Sequence, residues 1–162
     1  MAEVIIAAGS NLGAREEYLK KAGEFLKQLS IDSIHKSSVW ESEPVGPAEY
    51  TFLNAVCIIQ SDLTAPKLLS ELKQFEVTLG RDPGSKKWGP RILDLDIITY
   101  NSLVIQMESL IIPHPEYHRR LFVLLPLQEL FPAWEDPRTG TGIQKMIDEA
   151  PGLEIEKTEH SW

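Results

Sequence analysis

A chain of 162 residues, 43% hydrophobic and 25% charged, suffices for one soluble globular domain with a sizeable core. Its formal net charge of −8 argues against a general nucleic-acid binder, whose surface must be basic. A short apolar start without a basic leader fits neither a signal peptide nor a membrane span, and a single cysteine, Cys57, makes no internal disulfide, so a cytoplasmic protein is expected.

Residues 4–8 read as a short buried strand closed by the turn formers GSNLG. Residues 15–29 place Tyr18, Leu19, Ala22, Phe25, Leu26 and Leu29 on one helical face. Residues 31–40 are extended in type, with Ile34 and Val39 as apolar points. ESEPVGPAEY follows as a loop, because two prolines and a glycine leave no room for regular structure. Residues 52–59 form a strong strand. Thr64 then caps a helix with Pro66 in its first turn, with Leu68, Leu69, Leu72, Phe75 and Leu79 inward and Gly80 at its end. A basic loop leads to a strand over 92–100, and Asn101-Ser102 turns the chain into 103–105. A helix over 120–130 is stopped by Pro132. A last helix spans 143–149, and an edge strand lies near 153–156. This β-α-β-β-α-β order predicts an α+β ferredoxin-like sandwich, helices on one face of a mostly antiparallel sheet, with C-terminal helical additions, all in one domain over 1–162. A fold of this kind does not specify a function.

Positive charge gathers in two places, GRDPGSKKWGPR and HPEYHRR. Next to the first, WGPRILDLDI carries two carboxylates in an apolar run. Strand alternation sends Asp94 and Asp96 to one side and Leu93, Leu95 and Ile97 to the other, with the two β-carbons about 7 Å apart. Such a pair can hold metal ions for phosphoryl transfer; alone, it reads more readily as solvent-facing acids. Arg91 tips the balance, since a guanidinium beside the pair can grip phosphate oxygens bidentately. Neither a Walker A sequence nor GxGxxG occurs, so a nucleotide would be held by scattered side chains and metal.

KWGPRILDLDII, together with IIAAGSNLG, SVWESEPVG, FLNAV, FEVTLGR and IIPHPEYHRRLFVLLPL, resembles the 6-hydroxymethyl-7,8-dihydropterin pyrophosphokinase family nearly end to end. The resemblance implies transfer of pyrophosphate from ATP to the pterin hydroxymethyl oxygen, with release of AMP, in folate biosynthesis. It implies Asp94 and Asp96 as ligands of two Mg²⁺ ions, and Arg81 and Arg91 as loop arginines, Arg91 stabilising charge on the transferred group. On the ATP side it implies Lys73, Glu76, Ile97, His114 and Arg120. Around the pterin it implies Phe52 and Phe122 as sandwiching rings, Asn54 reading the ring edge, Ser42, Glu43 and Val45 on the pocket loop, and Trp88 as a lid. The partners implied are ATP and the pterin, with no nucleic acid and no membrane, for a monomer or weak homodimer.

Three positions depart from the family. Glu43 stands where proline is frequent, which implies a less rigid pocket loop, and Ser109 and Pro115 replace an arginine and a tyrosine near ATP. No general base is evident; Asp96 could assist a metal-polarised alcohol. Two other readings stay open from the residues alone: a kinase attacking the γ-phosphorus, and a non-catalytic pterin or nucleotide-binding module.

Overall fold

The computed structural model describes residues 1–44, 50–80 and 92–162. The chain runs β1 (Ala2–Ser10), α1 (Arg15–Leu29), β2 (His35–Lys36), β3 (Trp40–Ser42), β4 (Phe52–Ser61), α2 (Ala65–Thr78), β5 (Asp94–Tyr100), β6 (Ile105–Met107), β7 (Leu110–Ile112), a 3₁₀ turn (Tyr117–Arg119), α3 (Leu121–Leu130), α4 (Ile143–Glu149) and β8 (Ile155–Lys157). The main sheet has the order β5-β1-β4-β3-β8, with β2 also on β4, and every pairing is antiparallel. That is the ferredoxin-like arrangement, extended by β8 at one edge.

The near-continuous apolar runs of β1 and β4 have a simple cause: both faces of the sheet are covered. Val4, Ile6 and Ala8 pack with Leu19 and Leu26 of α1 and Leu68 and Leu72 of α2. Ile5, Val56 and Ile58 pack on the other side with Val123 and Leu127 of α3 and Ile143 and Met146 of α4. Each such aliphatic side chain contributes about 1.5–3 kcal/mol on burial. The expectation of helices on one face therefore holds for α1 and α2 only, because the C-terminal helices close the opposite face. Phe25 and Phe75 join the first two helices, their rings stacked with centroids 4.0 Å apart and planes at 2°. On the other layer, Glu129 of α3 accepts from Trp40 Nε1 at 2.6 Å and from Ser38 Oγ at 2.9 Å, tying α3 to the β3 edge.

Local signals place most elements. Thr64 Oγ1 accepts from the Lys67 N–H at 3.3 Å, capping α2 as expected. The segment 31–40 forms strand only at 35–36 and again from 40. A small hairpin, β6–β7, stands where only its first arm was read, and among the described residues no helix is long and apolar enough to cross a membrane.

Candidate functional site

β5 is an edge strand with a bulge. Its register against β1 shifts between Ile5–Thr99 and Ile6–Ile97, leaving Ile98 as the extra residue. The Ile98 carbonyl accepts the His114 N–H at 2.9 Å, which brings the segment after β7 against the sheet. Alternation does the rest: Leu93, Leu95 and Ile97 enter the core under α1 and α2, while Asp94, Asp96 and Ile98 line a cavity of about 580 Å³ on the opposite face.

Register across the sheet lays out this cavity. Asp94 pairs with Gly9, Gly9 with Asn54, and Asn54 with Trp40. Strands lie about 4.8 Å apart, so Asp94 and Asn54 stand about 10 Å apart with Gly9 between them. A β-carbon at Gly9 would lie 3.6 Å from Asn54 Oδ1 and 4.0 Å from Phe52 Cδ1, ordinary contact distances. The protein itself does not demand glycine there; what the missing side chain leaves is open floor, as where a ligand comes close to backbone. Phe52 lies two residues before Asn54 on the same strand face, and Phe122, at the start of α3, lines the cavity with it. The Arg120 guanidinium sits over the Phe122 ring, 5.6 Å from its centroid.

At the Asn54 end the amide is held in one orientation. Its Nδ2 donates to Ser42 Oγ at 2.9 Å and to the Trp40 carbonyl at 3.3 Å. Ser42 is thus a buried support for Asn54 and does not itself line the cavity. Residues 45–49 of the pocket loop lie outside the described residues, and Glu43, expected to loosen that loop, is itself fixed through both backbone and side chain. Its N–H donates to the Glu154 carbonyl at 2.9 Å and its Oε1 accepts the Glu154 N–H at 2.8 Å, so it continues the pairing of β3 with β8.

At the other end, α2 reaches the edge of β5. The Leu95 N–H donates to Glu76 Oε1 at 2.7 Å, and Lys73 Nζ donates to the Leu95 carbonyl at 2.8 Å. These two side chains stand where a further strand would be. Lys73 and Glu76 are 3.1 Å apart, and Glu76 is 1% exposed, so the pair is no solvated surface bridge. Lys73 Nζ also lies 3.8 Å from Asp94 and 3.7 Å from Asp96. Burial works against its charge, but Asp94, Asp96 and Glu76 outweigh that and hold its pKa above the ordinary lysine value. Burial and the neighbouring Asp94 charge push the Asp96 carboxyl up to about 7. His114 moves the other way: burial and the Arg120 charge push it down to about 4. Its Nδ1 accepts the Glu116 N–H at 3.1 Å, which leaves the proton of the neutral ring on Nε2.

Two carboxylates on one strand face, with Asp96 raised by burial and by the Asp94 charge, suit a hard divalent cation, which needs only one or two protein carboxylates when phosphate oxygens and water complete its shell. Among the described residues no third acid, histidine or cysteine joins them to form a larger metal-binding group.

Of the residues expected from sequence, Phe52, Asn54, Lys73, Asp94, Asp96, His114, Arg120 and Phe122 come together in this cavity. Ser42 and Glu76 stand behind it. The Ile97 side chain belongs to the core, and its neighbour Ile98 takes the lining position, because Ile98 is on the aspartate face. Val45, Arg81, Trp88 and Arg91 lie outside the described residues. Sequence reading missed Gly9, which a glycine inside a strand could have flagged, and Pro151, Gly152 and Leu153, for which no local signal exists.

Residues 5–132 match the model of the family described as 7,8-dihydro-6-hydroxymethylpterin-pyrophosphokinase. The 2-amino-4-hydroxy-6-hydroxymethyldihydropteridine pyrophosphokinase of Bacillus subtilis (strain 168) is 44% identical over 127 residues, 77% of this chain and 75% of that protein. Proteins of the same name from Synechocystis and Haemophilus influenzae are 35% and 42% identical, covering 93% and 80% of this chain and 82% of each relative. Among solved structures, wild-type Plasmodium falciparum HPPK-DHPS with SDX-DHP superposes with a TM-score of 0.71 at 13% identity, over 92% of this chain. That likeness is one of fold, and this chain spans only 43% of that longer one. The family match runs from β1 to just past α3, through the elements that carry both aspartates, the amide and both rings, and the chain belongs to the 7,8-dihydro-6-hydroxymethylpterin-pyrophosphokinase family.

Proposed function

We propose that this chain transfers the pyrophosphoryl group of ATP to the hydroxymethyl oxygen of 6-hydroxymethyl-7,8-dihydropterin, in a Mg²⁺-dependent reaction of folate biosynthesis. The observation that carries the reading is the row Asp94–Gly9–Asn54, which sets a carboxylate pair and an amide two strands apart in one cavity that Phe52 and Phe122 also line. A flat heteroaromatic is assigned to the space that Phe52 and Phe122 line, where offset stacking would add about 0.5–1.5 kcal/mol per pair. Asn54, its Nδ2 held by Ser42, keeps its Oδ1 as acceptor for a ring N–H. Arg120 and the Nε2–H of His114 are donors for phosphate oxygens, and Arg81 and Arg91 are assigned the remaining phosphate charge.

Asp94 and Asp96 would hold two Mg²⁺ ions, which supply neutralisation of the triphosphate and polarisation of the attacking alcohol. In the transfer, the pterin oxygen forms a bond to the β-phosphorus as the bond from that phosphorus to the α–β bridging oxygen breaks. AMP leaves with that oxygen, and the alcohol proton is released. Lys73 and Glu76 keep the Leu95 peptide, and with it both aspartates, in place. Trp88 is assigned to cover the pterin. The reading takes residues 1–162 as one domain, a cytoplasmic monomer or weak homodimer. In support, β8 pairs into the main sheet, and burial pushes the lone Cys57 thiol up to about 12, leaving it inert.

Incubation with ATP, Mg²⁺ and the dihydropterin, with nucleotides resolved, tests this. AMP as the stoichiometric product supports the reading. ADP would make the chain a γ-phosphoryl kinase, and binding without turnover would make it a module.

A further inference from the structure

Pro151, Gly152 and Leu153 line the cavity although they lie beyond the residues matched by the family model. Register locates them. Ser42 pairs with Phe52 on one side and with Ile155 on the other, so the segment entering β8 extends the sheet past Phe52, on the side away from β5. Two strand spacings put the Ile155 backbone about 10 Å from that of Phe52, against roughly twice that distance from β5. The strand that this segment enters therefore flanks the Phe52 side of the sheet, four spacings from β5, while Pro151 also lines a second cavity with His118 and Arg119. Glu43 fastens the segment through the paired contacts with Glu154, at 2.9 Å and 2.8 Å. A β-carbon at Gly152 would meet nothing within 4 Å, so the segment edges the cavity without filling it.

We propose that the segment from Pro151 to Leu153, held by Glu43, is a third wall of the pterin end and determines which ring substituents that end admits. This rests on the pyrophosphokinase reading. Leu153 supplies apolar surface at the margin of a ring lying between Phe52 and Phe122. Glu43 is a positioning residue that acts through the Glu154 backbone. A loss of apolar contact of this size discriminates between ligands by roughly tenfold.

The test uses the full chain, with fluorescence titration of the dihydropterin in the presence of a non-hydrolysable ATP analogue, alongside steady-state kinetics. Leu153→Ala and Glu43→Ala should each raise Kd and KM for the dihydropterin roughly tenfold. Both should leave kcat and the KM for ATP within about twofold, and both should lower discrimination against a dihydropterin alkylated on its reduced ring. Glu43→Gln, which keeps an acceptor oxygen for the Glu154 N–H, should behave as the original chain does. Unchanged pterin affinity and discrimination in folded Leu153→Ala and Glu43→Ala overturn the wall, as does an effect confined to ATP. Failure of the unsubstituted chain to bind dihydropterin instead removes the pyrophosphokinase reading, and the wall with it.

Discussion

The Lys73 ammonium lies 3.7 Å from the Asp96 carboxylate, which makes a helix side chain a resident counter-charge of the aspartate pair. Lys73→Gln removes that charge and weakens the bond to the Leu95 carbonyl. The metal-free protein should lose about 1–3 kcal/mol, and its thermal shift on adding Mg²⁺ should grow, since the cation then has more repulsion to relieve. Thermal melts with and without Mg²⁺ check this; an unaltered shift would disconnect Lys73 from the pair.

Asp96 gives the metal response a pH dependence. Its carboxyl is raised to about 7 in the fold, from an unfolded value near 3.9. Between those values the metal-free fold binds the additional proton, so this group's contribution falls as pH rises through about 7. Cation binding requires the carboxylate, so the Mg²⁺-induced thermal shift should increase up to about pH 7 and then level off. Asp96→Asn should flatten the profile. A shift in the unsubstituted chain that is constant from about pH 5 to 8 would be incompatible with a raised Asp96.

His114 has the opposite sign. Its pKa falls to about 4 from about 6.5 unfolded, so its contribution is complete above about pH 6.5 and is lost as pH drops towards 4. Proton NMR should find no imidazole titration at His114 between about pH 5.5 and 8. A midpoint near 6.5 would mean a solvated ring.

Ser42→Ala leaves Asn54 Nδ2 with the 3.3 Å bond to the Trp40 carbonyl as its main restraint. The amide can then turn. Pterin KM should rise roughly tenfold, while the fold loses only about 1 kcal/mol. Equal pterin KM in variant and original would show that Ser42 does not orient the amide.

Tyr117→Phe separates stability from chemistry. The fully buried hydroxyl donates to Asp136 Oδ2 at 2.6 Å, and Asp136 also holds the Arg138 and Thr139 N–H groups at 2.7 Å and 3.3 Å. Urea denaturation should show a loss of about 1–3 kcal/mol with kcat nearly unchanged. A large fall in kcat would mean that this bond sets the chemistry itself.

The sequence reads well wherever a segment's own pattern decides its structure. α1 and α2 carry a helical period, β1 and β4 near-continuous apolar runs, and Thr64 and Pro66 mark the start of α2 by local chemistry. The direction of Asp94 and Asp96 needs only strand alternation. What escapes is long-range. Nothing near Leu95 announces that Glu76 and Lys73 complete its hydrogen bonding, and nothing near Pro151 announces Phe52. The pairing of Glu43 with Glu154 spans 111 positions, so nothing near Glu43 announces that partner. The identity of two-sided burial is equally hidden, because an apolar run shows that both faces are covered without showing which helices cover them. The family resemblance, by contrast, needed only residues held in order and spacing.

The row from Asp94 through Gly9 to Asn54 also acts as a ruler. Each step along it is an interstrand spacing held by backbone hydrogen bonds, so the gap between metal end and pterin end is set by the sheet and hardly by side-chain conformation. A nucleotide and a pterin bound as proposed would be brought to one fixed separation by the sheet alone. The site should then be more vulnerable to a slip in β1 than to most substitutions around it. A single residue inserted between Ile6 and Gly9 would turn the floor over and misalign both ends, without altering one residue assigned to the chemistry.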